Sequence, residues 1–212
     1  VARMQDELLL ERWREGDRRA GQALVARHYR PLFMFFWGKV GEQASADLTQ
    51  DTFETLCARQ DRFRGESSVR TYLFGIARWK LVEHLRRSRR DRERFDPAQD
   101  GVDIEHVERS ITSLFALREH EALLIRGLRS LSLDDQLLLE LKDYEALTAR
   151  ELAEIFDVPA GTIGGRVSRA RERLRLAVKA MSGTPVLADE TLHGLDSYFR
   201  AIRGTVQDLT KS

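Results

Sequence analysis

With 212 residues, 42% of them hydrophobic and 33% charged, the chain can form one medium or two small folded domains and is too rich in apolar residues to be disordered. Its longest apolar run, 31–37, falls far short of the roughly 20 residues that span a bilayer. Asp6, Glu7, Glu11 and Glu15 also break any signal-peptide pattern, so no membrane insertion and a cytoplasmic location are expected. Cys57 is the single cysteine, the five histidines are scattered, and no HExxH, GxSxG or Walker-type loop occurs. No metal, no cofactor and no enzymatic constellation is therefore expected. The net charge of +1 averages over two basic segments, with eight Arg or Lys in 78–94 and six in 166–179, around an acidic stretch at 96–108. Two such segments point to two DNA-contacting modules, against the plainer reading of two solvated helix faces.

Strand signals are nearly absent and helical spacing recurs, so the chain reads as all-α. Helices are predicted at 4–15, 18–40, 45–60, 67–90, 111–129, 133–143, 148–156, 159–178 and 188–209. Gly16, Gly41 and Gly65 punctuate the first group; Asp96-Pro97 with Gly101 marks a linker, and the run 182–185 (SGTP) marks a second break. The expected organisation is a helical domain at 1–90, an acidic linker at 91–117, a second helical domain at 118–180 and an extension at 181–212.

In the third predicted helix Asp47, Gln50, Asp51 and Glu54 fall on one side as a polar ridge, with Leu48, Phe53 and Leu56 available for packing. A favourable helix dipole accounts for Asp47 but not for the whole ridge. The next block, 61–78 (DRFRGESSVRTYLFGIAR), joins a loop of small polar residues to a helix whose core stripe is Leu73, Ile76, Ala77, Leu81 and Leu85. Tyr72 fits either the core or an exposed face, and Phe74 is a possible core aromatic.

Further on, Thr148 and Glu151 have capping-box spacing, and Leu152, Ile155 and Phe156 give a short helix its buried face. Asp157-Val158-Pro159 makes the turn: Asp157 tolerates a left-handed backbone, Val158 plugs the interhelical core and Pro159 suits a helix start. In the helix that follows, Ile163, Val167, Ala170, Leu174 and Ala177 form a core stripe, opposite Thr162, Gly165, Arg166, Arg169 and Arg173. A short helix, a tight turn and a longer helix with a basic outer face fit a helix-turn-helix. In the last predicted helix Leu192, Leu195, Phe199, Ile202, Val206 and Leu209 form a stripe that must bury against something: the chain itself, a regulatory partner or a second copy.

Residues 147–163 (LTARELAEIFDVPAGTI) with 166–174 (RVSRARERL) resemble region 4 of a bacterial sigma factor, and 46–53 (ADLTQDTF) with 61–78 resemble region 2. The absence of a larger domain between the blocks makes the chain similar to the compact extracytoplasmic-function (ECF) group of the sigma-70 family. The resemblance implies a sigma region 2-like bundle and a sigma region 4-like helix-turn-helix. It further implies a transcription initiation factor whose partners are core RNA polymerase, through its beta and beta-prime subunits, and promoter DNA. It assigns polymerase binding to Asp47, Gln50, Asp51, Phe53 and Glu54. Minus-ten reading and melting would fall to Arg64, Ser67, Ser68, Arg70, Thr71, Tyr72, Arg78, Trp79, Lys80, His84 and Arg87. Minus-thirty-five reading would fall to Arg150, Thr162, Gly165, Arg166, Arg169 and Arg173. An anti-sigma factor is common in such a family, and the striped tail fits either one or intramolecular docking. The linker is either a solvated tether or an acidic mimic of nucleic acid.

The Gly164-Gly165 pair departs from the family pattern, which often has polar, base-reading side chains there. Each glycine costs about 1 kcal/mol of helix propensity, so either the backbone approaches the groove closely or reading shifts to Arg166 and Arg169, Arg166 first. The competing reading is a stand-alone helix-turn-helix regulator, dimeric on a palindromic site, which leaves the N-terminal blocks unexplained.

Overall fold

Apolar residues spaced at three and four become helix at nearly every predicted position. The computed structural model describes residues 2–60, 63–95 and 119–182. The predicted helix at 188–209, the start of the one at 111–129 and most of the linker lie outside the described residues. Among the described residues every regular element is a helix, and no helix is long and apolar enough to cross a membrane. The chain divides into an N-terminal and a C-terminal compact unit.

In the N-terminal unit α1 (Ala2–Arg14), α2 (Arg18–Val40), α3 (Glu42–Arg59) and α4 (Val69–Phe95) pack together. Asp17 caps α2, its carboxylate accepting from the backbone N–H groups of Arg19 (2.9 Å) and Ala20 (3.2 Å). The three punctuating glycines, Gly16, Gly41 and Gly65, all have positive φ. Gly41 reverses the chain alone: its N–H donates to the Trp37 carbonyl at 3.3 Å, and its carbonyl accepts from Ser45 N–H at 3.1 Å. At φ 80° a β-carbon would strain that corner. Leu24, Phe36, Leu56, Leu73, Phe74 and Leu81 are fully buried, each contributing about 1.5–3 kcal/mol by leaving water.

Polar residues join these helices as well. Asp6 of α1 is buried and accepts from Arg27 (2.5 Å) and from His28 Nε2 (2.8 Å), both on α2. Arg14, at the end of α1, donates to the carbonyls of Gln60 and Phe63 and so holds the loop that leads into α4. The inner face of α3 carries Ser45, Thr49 and Thr52, all fully buried. Each returns its hydroxyl to the carbonyl four residues back, at 2.5, 2.7 and 2.7 Å. Those bonds satisfy the hydroxyls without a partner helix, so α3 can lie against its neighbours on small side chains. The run to Phe95 places 91–95 in α4, not in the linker as expected. Arginine and glutamate are good helix formers, and the Glu83–Arg87 pair lies along the same helix, so this stretch stays helical with no apolar stripe of its own.

Further along the chain come α5 (Glu119–Arg129), α6 (Leu133–Leu139), a π-helical turn (Glu140–Tyr144), α7 (Ala149–Phe156) and α8 (Ala160–Met181). The continuous helix predicted at 133–143 is thus split. Leu137, Leu138, Leu139 and Leu141 are all buried, and four leucines in five positions exceed one α-helical stripe. The wider turn changes the phase and brings Leu141 inward, where its carbonyl accepts from Leu147 N–H at 3.0 Å. α5 and α6 both pack on α8. Gly127 of α5 makes the closest approach: a β-carbon there would stand 2.7 Å from Val178 Cγ2 and 3.2 Å from Leu174 Cδ1.

Candidate nucleic-acid interface

The C-terminal module is built from its caps outward. Thr148 N–H donates to the Glu151 carboxylate at 2.9 Å, and Glu151 N–H donates to the Thr148 hydroxyl at 3.3 Å. The capping box is therefore formed in both directions. Leu152, Ile155 and Phe156 are buried as expected. Asp157 takes φ 51°, the left-handed turn residue, and Val158 N–H donates to the Ala153 carbonyl at 3.0 Å. Val158 is only half-buried, and Pro159 caps α8 instead of opening it.

On α8, Ile163, Val167, Ala170 and Leu174 are buried, and the stripe ends on Val178 and not on Ala177. That shift reflects the Gly127 approach, which only the tertiary fold reveals. Thr162, Gly165 and Arg169 are exposed and Arg166 is half-buried. The Thr162 hydroxyl turns back to the Pro159 carbonyl at 2.7 Å. Arg169 folds toward the helix N-terminus, its Nη1 3.4 Å from where a Gly165 β-carbon would stand. Arg150 is exposed in the first turn of α7.

Arg173, expected on the DNA face, is exposed, and its guanidinium engages Asp135 of α6 with two 2.8 Å bonds. Arg171 similarly holds Asp143 of the π-helical turn at 2.6 Å. Both pairs join α8 to α6 and the π-helical turn, contacts the sequence did not signal because both acidic partners are distant in the chain. The Arg173 hydrogen bond is the main cause of an Asp135 pKa below the ordinary carboxylate range, with the charge of Arg166 adding to it.

In the N-terminal unit α3 presents two faces. Asp47, Gln50, Asp51 and Glu54 are exposed together, with Gln50 donating to Glu54 at 2.8 Å. Phe53, expected to meet a partner on that ridge, is buried in the core with Leu48 and Leu56, so the ridge is purely polar. Beside it, α4 exposes Trp79 (56%), Arg86, Arg87 and Arg90. Lys80 stands 3.6 Å from Asp51 and 5.6 Å from the Trp79 ring centroid, and Arg87 pairs with Glu83. Arg78 and His84 are half-buried.

At the start of α4 two hydroxyls expected to face DNA turn inward. Ser68 and Thr71 are buried: the Ser68 hydroxyl accepts from Thr71 N–H at 3.0 Å and lies 2.8 Å from the Thr71 hydroxyl. Together they cap the start of α4. Arg64 and Gly65 are exposed, and Ser67 is half-buried. Tyr72, whose placement was open, is half-buried with its ring 5.4 Å from Phe63; Phe74 is core. Arg70 lies over the Phe74 ring at 5.6 Å.

Sigma-70 region 2 matches residues 24–91, and Sigma-70, region 4 matches residues 121–174. The RNA polymerase sigma-H factor of Pseudomonas aeruginosa is 30% identical over 189 residues, which cover 84% of this chain and 95% of that protein. The chain belongs to the sigma-70 family, in its ECF group. The ECF RNA polymerase sigma-E factor of Haemophilus influenzae is 27% identical over 186 residues, 83% of this chain and 96% of that one. Two solved structures share the fold. One is the sigma factor RpoE in complex with the anti-sigma factor NepR from Bartonella quintana (TM-score 0.58, 24% identity, 76% of this chain and 98% of that one). The other is CnrH in complex with the cytosolic domain of CnrY (TM-score 0.59, 23% identity, 84% and 99%). A sigma factor carries region 2 as well as region 4, so the stand-alone regulator reading falls. The acidic ridge and the aromatic and basic face of α4 both lie inside the region 2 match, and the helix-turn-helix as far as Leu174 lies inside the region 4 match.

Proposed function

We propose that this sigma factor, which directs transcription initiation at promoters, docks on core RNA polymerase through Asp47, Gln50, Asp51 and Glu54. Exposed Trp79, with Lys80, Arg87 and the loop residues Arg64 and Ser67, holds the melted minus-ten strand by stacking and charge. In the C-terminal module α8 enters the major groove of the minus-thirty-five element, with Arg166 and Arg169 reading bases and Arg150 meeting phosphate. The carrying observation is the pairing, within one small unit, of an exposed carboxylate ridge on α3 with an aromatic and basic face on the adjacent α4. A carboxylate ridge repels nucleic acid and attracts a basic protein surface; the face beside it does the reverse. The polymerase supplies the catalysis, and a cytoplasmic location follows from that partnership. RpoE was solved with the anti-sigma factor NepR, and a regulatory protein of that kind is the proposed third partner.

Promoter-dependent run-off transcription with purified core polymerase tests this reading. Transcripts are expected only with the factor present, and loss is expected when Asp47, Asp51 and Glu54 are all neutralised. A folded chain that neither binds core nor starts transcription overturns it.

A further inference from the structure

Arg64 and Ser67, two of the groups proposed above for the minus-ten strand, sit on a short loop strung between two fixed points. On one side Ser68 is buried and caps α4 with Thr71. On the other side Phe63 is buried, its ring 5.4 Å from that of Tyr72 on α4. Phe63 is also held from α1. Arg14 Nη2 donates to the Phe63 carbonyl at 2.9 Å and to the Gln60 carbonyl, which accepts from the Phe63 N–H at 3.2 Å as well. The Arg14 guanidinium lies 5.9 Å from the Phe63 ring centroid, and its Nε is buried. One side chain of α1 thus grips two backbone carbonyls at the entry of the loop. Arg14 precedes the segment matched by region 2, which begins at residue 24.

We propose that Arg14 is a positioning residue for minus-ten strand binding: from α1 it fixes the entry of the loop, so that Arg64 and Ser67 meet the strand already ordered. The inference rests on the strand-binding role proposed above for that loop. A short loop anchored at both ends has few conformations left to lose when a strand binds it. Releasing the Phe63 carbonyl frees one end, and strand binding must then supply the ordering. A guanidinium suits the task because one planar nitrogen offers two N–H groups, one for each carbonyl. Those groups point at backbone carbonyls and the residue is only half-exposed, so Arg14 acts through the loop and not as a phosphate contact.

The test uses the full chain saturated with core polymerase, titrated with a fluorescent single strand carrying the minus-ten segment of a promoter from which it initiates. Arg14→Met keeps an apolar stem and removes both bonds. It is expected to weaken strand binding about two- to ten-fold, with the salt slope unchanged. Arg14→Lys, which keeps the charge on a stem one atom shorter, is expected to fall between that variant and the parent. Arg12→Met, an equal loss of charge on α1 from a residue that pairs with Asp17 instead, is expected to bind like the parent. With Arg64→Ala and Ser67→Ala already in place, Arg14→Met is expected to cost little more, because it acts through the groups now removed. The proposal is overturned if Arg14→Met binds like the parent, if Arg12→Met matches it, or if its cost is undiminished without Arg64 and Ser67. A salt slope lowered by about 0.7, the mark of a direct single-strand phosphate contact, overturns it too. If Arg64→Ala with Ser67→Ala leaves strand binding intact, the role proposed for the loop fails and this inference with it; if those residues are needed and Arg14 is not, this inference fails alone.

Discussion

Arg173 Nε and Nη2 each donate to one oxygen of Asp135 at 2.8 Å, tying the recognition helix α8 to the first turn of α6. Bidentate geometry gives this pair directional strength that scattered surface pairs lack. Arg173→Ala is expected to lower the thermal midpoint, and Asp135→Asn to lower it similarly. The double variant should fall short of the sum, because both changes remove one interaction. The Asp135 pKa is depressed in the fold, so its contribution is present above the ordinary carboxylate value of about 3.9 and is lost as pH falls through the folded value. Midpoints of the parent and Arg173→Ala proteins should therefore differ near neutrality and converge below about pH 4.

Arg166 and Arg169 are the base readers proposed for α8. Arg166→Ala is expected to cost about 1–3 kcal/mol of discrimination on promoters that carry its preferred base, and little on others. Affinity measured across a panel of minus-thirty-five variants at several salt concentrations checks this. Uniform weakening, with the salt slope reduced by about 0.9, would reassign Arg166 to phosphate.

His28 is buried against Asp6, and burial is the main reason its pKa is lowered. Asp6 opposes that shift; the nearby charges of Arg27 and Arg70 reinforce it. Because the folded state resists the proton, stability is full above the unfolded value of about 6.5 and falls as pH drops through the window below it. Chemical denaturation at a series of pH values should show that decline. His28→Gln, which does not titrate, should flatten it.

Two glycine-to-alanine changes should act in opposite directions. Gly127→Ala places a carbon 2.7 Å from Val178 Cγ2, on a β-branched side chain with little rotamer freedom. Overpacking of about 1–3 kcal/mol should outweigh a helix-propensity gain of about 1 kcal/mol. At Gly164 no atom lies within 4 Å of the added carbon, so Gly164→Ala should stabilise by about 0.5–1 kcal/mol. Equal effects in denaturant titrations would contradict the close α5–α8 approach.

Local chemistry was legible in the sequence wherever it depended on near neighbours. The Thr148–Glu151 box, the left-handed Asp157, the glycine punctuation and the α8 stripe through Leu174 all follow from residues a few positions apart. So did the exposed ridge on α3 and the family, whose motifs are contiguous segments. What the sequence left undecided was the competition for each polar group. Ser68 precedes a helix with Thr71 three residues on, a capping pattern as much as a DNA-facing one, and only packing at the start of α4 buried both hydroxyls. Phe53 sits beside the ridge, and the inner face of α3 took it. Arg173 stands with the basic residues of α8, yet Asp135, 38 positions away in the chain, claims it. Propensity and caps act over one or two helical turns, so sequence by itself determined the helices and the family. Burial and long-range ion pairing act between turns distant in the chain, so only the tertiary structure decided which polar groups are buried and which cations pair with carboxylates.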